Sequence, residues 1–296
     1  LNTASVNNTF IGGGDRNIAC GNNSSVVGGK SNTTSGYYSS IVGGILNTAS
    51  AGCTFIGGGK LNNIESECSV IAGGNLNIIT STATYASIGG GLTNCITGVG
   101  SVIGGGNDNT ARGNFSTIAG GYINETCLNV SFVGGGQENL ANGVYATIAG
   151  GYRNKTSPYS FIGSGQNNTS SADYTVIGGG TLNTASGACS FIGGGCNNTT
   201  SGSYSFIGGG ECNITRNLNS IIVGGFKNSG SGNCSFIGGG TLNSLNPNNT
   251  VSVIVGGQCN SGSGVWSFIG GGRENSNRGF CYNSIVGGYR NCITGC

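Results

Sequence analysis

Histidine and methionine are absent from this chain, and proline occurs twice in 296 residues. Charged residues make up 7%, against the usual quarter. Without histidine the commonest acid–base catalyst and most metal sites are gone. There is no basic run, and the net charge is only +2, which argues against nucleic acid or an anionic membrane as partner. No stretch of eighteen apolar residues exists, so no transmembrane helix is encoded. The 63 glycines do not recur at every third position, which excludes collagen. Hydrophobic residues reach 36%, too many for a charged disordered tail.

Thirteen cysteines are present, not in CxxC pairs, so a zinc ribbon is a weak reading. Their number points to an oxidising setting, extracellular or on a virion. The chain begins Leu1-Asn2-Thr3, with neither a basic nor an apolar leader segment, and is expected to be a mature or truncated piece.

Internal repetition sets the architecture. An Ile or Val precedes each glycine cluster, from Ile11 to Ile285, nineteen times. Fourteen of the eighteen spacings are 15 residues; the others are 14, 16, 17 and 17. With this anchor as position 0, Gly stands at +3 and Asn at +6 in all nineteen repeats. Fifteen residues fit one coil of a β-solenoid: a five-residue strand, a glycine turn, a second short extended piece and another turn. The expected fold is therefore an all-β, parallel β-solenoid (β-roll or β-helix) of nineteen coils. It forms a single array over residues 1–296, part of a longer array. Coils rising by about 4.8 Å would give a rod of roughly 90 Å.

The asparagines at +6 are expected to stack as an amide ladder closing a turn: Asn17, Asn47, Asn62, Asn77, Asn94, Asn109, Asn139, Asn183, Asn228, Asn243, Asn260, Asn275 and Asn291, with the remaining +6 asparagines between them. On one side of the strand lie −2, 0 and +2; on the other −3, −1 and +1. Position −1 is Phe in eight repeats, and in all eight +1 is Gly, as in Phe10/Gly12 and Phe206/Gly208. Where −1 shrinks, +1 usually grows, as in Ser40/Val42. Volume compensation implies close packing. Both faces are therefore expected to be buried, one in the lumen and the other against a second copy of the chain. Which is which stays open.

The run Ser190 to Ser205, Ser-x-Ile-Gly followed by Asn-Thr, Ser-Gly and Tyr-Ser, resembles the head repeats of trimeric autotransporter adhesins and related phage and viral fibre proteins. The resemblance covers all nineteen repeats. It implies a left-handed parallel β-roll, with three chains around a common axis.

Rival chemistry is thin. Gly29-Lys30-Ser31 ends like a P-loop, but Ser24 stands where its first glycine belongs. Calcium-binding β-roll repeats need an Asp in every coil, and only Asp15, Asp108 and Asp173 exist. Asp108 and Glu138 share position +5 two coils apart, roughly 10 Å, just beyond an inverting carboxylate pair; a solvated turn is the better reading. Thr169, Thr184 and Thr199 recur at +7, the pattern of an ice- or surface-binding solenoid, which is the alternative function.

Disulfide candidates are Cys53 with Cys68, Cys196 with Cys212, and Cys281 with Cys296, each about one coil apart. Their alternative role is as small apolar residues. Fifteen N-glycosylation sequons occur. Those on the ladder, such as Asn32, Asn124, Asn154 and Asn213, leave no room for a glycan; Asn114, Asn129 and Asn233 are the candidates. The chain opens at +5 and closes at +11, both mid-coil, which favours continuation or end-to-end stacking. The expected function is a structural or adhesive extracellular fibre segment, located at the cell surface or virion surface, with no catalytic site and no cofactor. Its partner is itself, end to end or side by side, with glycans or a surface as further candidates.

Overall fold

The computed structural model describes residues 1–247, 250–279 and 282–295. Cys281, Cys296 and the sequon at Asn248 lie outside the described residues. The chain divides into two compact units, Leu1–Gly151 and Tyr152–Cys296. The first contains ten anchors and the second nine, and each is a parallel β-solenoid.

Coils pair through two strands. The anchor strand is −1 and 0, as in Phe10–Ile11 of the first unit and Phe206–Ile207 of the second. The second strand is +7 and +8, as in Ile18–Ala19 and Ile214–Thr215. Pairing is parallel and in register: Ile11 with Val26, Val26 with Ile41, Ile192 with Ile207. Position +4 adds a one-residue bridge between coils, as from Asp15 to Lys30.

The strands are shorter than the five residues expected. Position −3 is a corner, with φ of 51–63° in every coil, and this left-handed conformation ends the strand. The opposite turn places +3 at φ 85–102° and +5 at φ 53–58° in all nineteen coils. Glycine meets the first at no steric cost. The other two corners hold 37 non-glycine residues, including Val130, Ile123 and Trp266, each in a conformation that costs about 1 kcal/mol or more.

The side left open by the sequence is settled by burial. Anchors from Val26 to Ile269 are fully buried, as are most serines and threonines at −2. Positions +6 and +8 face them from the second strand. Thr34 at +8 donates to Ser24 at −2 across the lumen, 3.1 Å. A Cβ on Gly230 at +8 would lie 3.6 Å from Ile222. Burying each anchor isoleucine contributes about 2–3 kcal/mol, and coil-to-coil hydrogen bonds satisfy the backbone around it.

The asparagine file closes the first turn from inside. The backbone N–H of Asn32 donates to Oδ1 of Asn17 at 3.0 Å. Its Nδ2 donates to Gly28 O in the same coil, 3.1 Å, and to Gly44 O in the next, 2.9 Å. The same set recurs at Asn47, Asn62, Asn77, Asn94 and Asn109 in the first unit. Asn139 belongs to the same file. In the second unit it recurs at Asn183, Asn228, Asn243, Asn260 and Asn275, while Asn291 makes the first two bonds, to Asn275 Oδ1 at 3.0 Å and Gly287 O at 2.8 Å. Serines at −2 hold the other turn: Ser101 Oγ donates to Gly113 O, 2.7 Å, and Ser220 Oγ to Gly232 O, 2.8 Å.

Candidate contact surface

The outward positions form two unlike faces. Beside the anchor strand, −1, +1 and +2 carry no charged residue in any of the nineteen coils. Beside the second strand, +7 and +9 carry Thr and Ser among Glu65, Arg112, Glu125, Lys155, Arg216 and Arg278. Arg112 and Glu125 form an ion pair between neighbouring coils there. Twelve of the twenty charged side chains sit at +4 and +5, on the first turn.

Within the single chain the uncharged face is solvent-exposed, and only the anchor side is buried in the lumen. Phe55 is 40% exposed and Phe206 37%; Val27, Val42, Val223 and Val255 are also exposed. The Phe/Gly compensation has a local cause. Each phenylalanine at −1 folds across the glycine two residues on, so a Cβ on Gly134 would lie 3.3 Å from the Phe132 ring, and one on Gly208 3.3 Å from Phe206. Where −1 is Ser, as at Ser25 and Ser40, Val fits at +1. The carbonyl of the following coil crowds the same glycines from the other side, 2.3 Å from a Cβ on Gly134 and 2.4 Å from one on Gly208, so the pattern arises within the single chain and does not itself require a second copy. The +2 glycines have open space instead: a Cβ on Gly28, Gly58 or Gly209 would meet nothing within 4 Å.

Aromatic side chains stack along this wall. Phe191 and Phe206 lie 5.2 Å apart with planes 4° apart. On the neighbouring −3 corner Tyr159 and Tyr174 stack at 4.9 Å, and Trp266 and Tyr282 at 5.7 Å. Stacked rings turn their edges, rather than flat faces, to solvent.

Other sequence candidates are placed as follows. Thr169, Thr184 and Thr199 do form a file on the second strand, but Lys155 precedes it and Ile214 follows it. The file is three coils long. Asp108 and Glu138 stand at +5 with Ile123 between them, and Glu138 accepts from Gln137 Nε2 at 2.9 Å. Cys53, Cys68, Cys196 and Cys212 are free thiols. Cys196 and Cys212 are not register partners: Cys196 pairs with Glu211, and Cys212 receives the Asn197 side-chain amide at 3.5 Å. Asn129 and Asn233 are exposed and Asn114 half-buried. Asn114 and Asn129 form a small outer ladder through their oxygens, accepting from Val99 N–H at 2.9 Å and Asn114 N–H at 3.0 Å. Asn32, Asn124, Asn154 and Asn213 are buried.

Among the described residues no three His, Cys, Asp or Glu side chains gather as a metal-binding group, and no helix is long and apolar enough to cross a membrane. Comparison with protein-family models and with curated proteins gives no match.

Proposed function

We propose that this chain is a structural, adhesive fibre segment that self-associates side by side, working outside the cell or on a virion surface, without catalytic activity. The observation that carries this reading is the exposed, uncharged Phe/Val face. A partner for it must also be uncharged and apolar, and the same face on a second copy meets that requirement. Five residues at about 3.3 Å and coils at about 4.8 Å give roughly 80 Å² per coil. The nine anchors of the second unit then offer roughly 700 Å², close to one partner's share of a standard interface. Apolar patches of this size mark association surfaces. The reading places the chain with the β-roll fibres and adhesin heads that its repeats resemble. Charged turns at +4 and +5 would remain outside the assembly as its contact surface for other molecules.

Replacing Phe191 and Phe206 together with Lys tests the reading. Both rings already stand outside the lumen, so the coil folds, while two positive charges enter the proposed interface. Sedimentation velocity should show the wild type as an oligomer and the double variant as a monomer with an unchanged circular-dichroism spectrum. A wild type that stays monomeric at high micromolar concentration overturns the proposal.

A further inference from the structure

We propose that Cys53 and Cys68 are a redox modification site, joined under oxidising conditions by a disulfide that ties one coil of the first unit to the next. The two residues occupy the −3 corner of adjacent coils. Around them the coils are in register, Phe55 with Val70 and Ile56 with Ile71. The corners themselves repeat: Cys53 N–H donates to Tyr37 O at 2.8 Å, and Cys68 N–H to Gly52 O at 3.0 Å. Parallel neighbours in register stand about 4.8 Å apart, inside the Cα separation a disulfide accepts. Their φ angles, 57° and 54°, are nearly the same, so both side chains leave the wall in one direction. Both are exposed, and partial desolvation, then the charge of Cys53 beside it, push the Cys68 thiol up from its ordinary value.

The backbone beside the pair is held from outside. The Tyr37 ring lies across Gly52, where a Cβ would come within 2.3 Å of it. Its hydroxyl donates to Glu67 at 3.2 Å. The residue before each cysteine, Gly52 or Glu67, is thus pinned by one tyrosine. The other −3 cysteines have no cysteine at the corner of an adjacent coil: Cys189 stands between Tyr174 and Tyr204, and Cys234 between Asn219 and Val251.

The oxidant is a small-molecule disulfide, such as oxidised glutathione. One cysteine thiolate attacks it, forming a mixed disulfide and releasing one glutathione thiolate. The second cysteine, on losing its proton, attacks the protein sulfur of that mixed disulfide and releases the other glutathione. The two protons lost by the cysteines end on the two reduced glutathione molecules. The new bond closes a loop of one whole coil, which restricts the unfolded chain.

The test uses the full chain, incubated with oxidised glutathione, then alkylated and digested with trypsin without reduction. Cleavage after Lys60 separates the two cysteines, so a disulfide holds two peptides together at their summed mass less two hydrogens. The linked pair should appear in the wild type and vanish in Cys53→Ser and in Cys68→Ser. Oxidation should raise the wild-type melting temperature by about 5 °C and leave that of each variant where it was. Alkylation of both cysteines after oxidation, or their recovery bonded to other cysteines or to a second chain, overturns the proposal. Because the readout is intramolecular, it stands or falls independently of self-association.

Discussion

Gly29 and Asn32 are matched: a Cβ on Gly29 would stand 2.5 Å from the Asn32 amide nitrogen and 2.2 Å from Gly44 O. The glycine leaves the space through which the buried amide reaches the next coil. Its neighbour Gly28 would put a Cβ into open space. Gly29→Ala should therefore destabilise the first unit by about 2 kcal/mol or more, from backbone strain and the clash together. Gly28→Ala should change stability by about 0.5 kcal/mol at most. Chemical denaturation of the two variants checks the contrast; equal effects would contradict it.

Asn47 donates to Gly43 O and Gly59 O, both at 3.0 Å, and accepts from Asn62 N–H at 3.0 Å. Asn47→Ala leaves all three groups buried without these partners. The expected loss is about 3 kcal/mol, from a penalty of about 1–3 kcal/mol for each unsatisfied group. Hydrogen exchange should accelerate first at Asn62 N–H. A uniform change in exchange would count against a local ladder.

Corner residues offer the opposite sign. Ile123 is β-branched and holds φ at 55°, where Asn is far better tolerated. Ile123→Asn should stabilise the first unit by about 1 kcal/mol, read as a rise in its melting temperature. A fall would mean that the Ile123 side chain contributes more by contact than its backbone costs.

Glu274 accepts from Arg290 at 2.7 Å and from Arg273 at 3.0 Å. The Arg290 hydrogen bond, with the charges of both arginines, holds its carboxyl below the ordinary value. A lowered carboxylate stabilises the folded state above its unfolded pKa, and that contribution fades as pH falls through the folded value. Arg290→Ala should move the Glu274 titration upward in an NMR experiment, towards the ordinary carboxylate range. An unmoved titration would show that the ion pair is not formed in solution.

The period of fifteen, the +3 glycine and the +6 asparagine were enough to read the coil from the sequence, because the glycine and the asparagine recur in every coil and fourteen of the eighteen spacings are 15 residues. The side facing inward was harder. Ile at 0 and Phe at −1 are both apolar, so hydropathy does not separate them. Their variability does: the lumen admits only Ile or Val at the anchor, while −1 ranges from Ser25 to Phe55 because solvent tolerates both. The −3 corner was hidden for another reason. Tyr38, Val130 and Trp266 look like strand residues, and only Asn8, Asn23, Asn219 and Gly100 betray a left-handed turn. The compensation of Phe206 with Gly208 was visible, but its meaning was not: a side chain can be crowded by its own strand on a surface open to water.

Departures from fifteen residues all fall between +9 and −3. Two extra residues lie between Thr80 and Tyr85, yet Ile71 still pairs with Ile88, and Asn94 N–H still donates to Asn77 at 3.0 Å. In the second unit Lys155 pairs with Thr169 across only fourteen residues, the deletion falling at Pro158. Each coil thus restarts the count at its own asparagine, so an error of length in one turn is not inherited by the next. Such a chain can be edited like a ladder of independent rungs, with one edge reserved for additions. Peptides inserted between the exposed Ser81 and Thr82 would be displayed outside while the buried Ala83 and the lumen behind it keep their places.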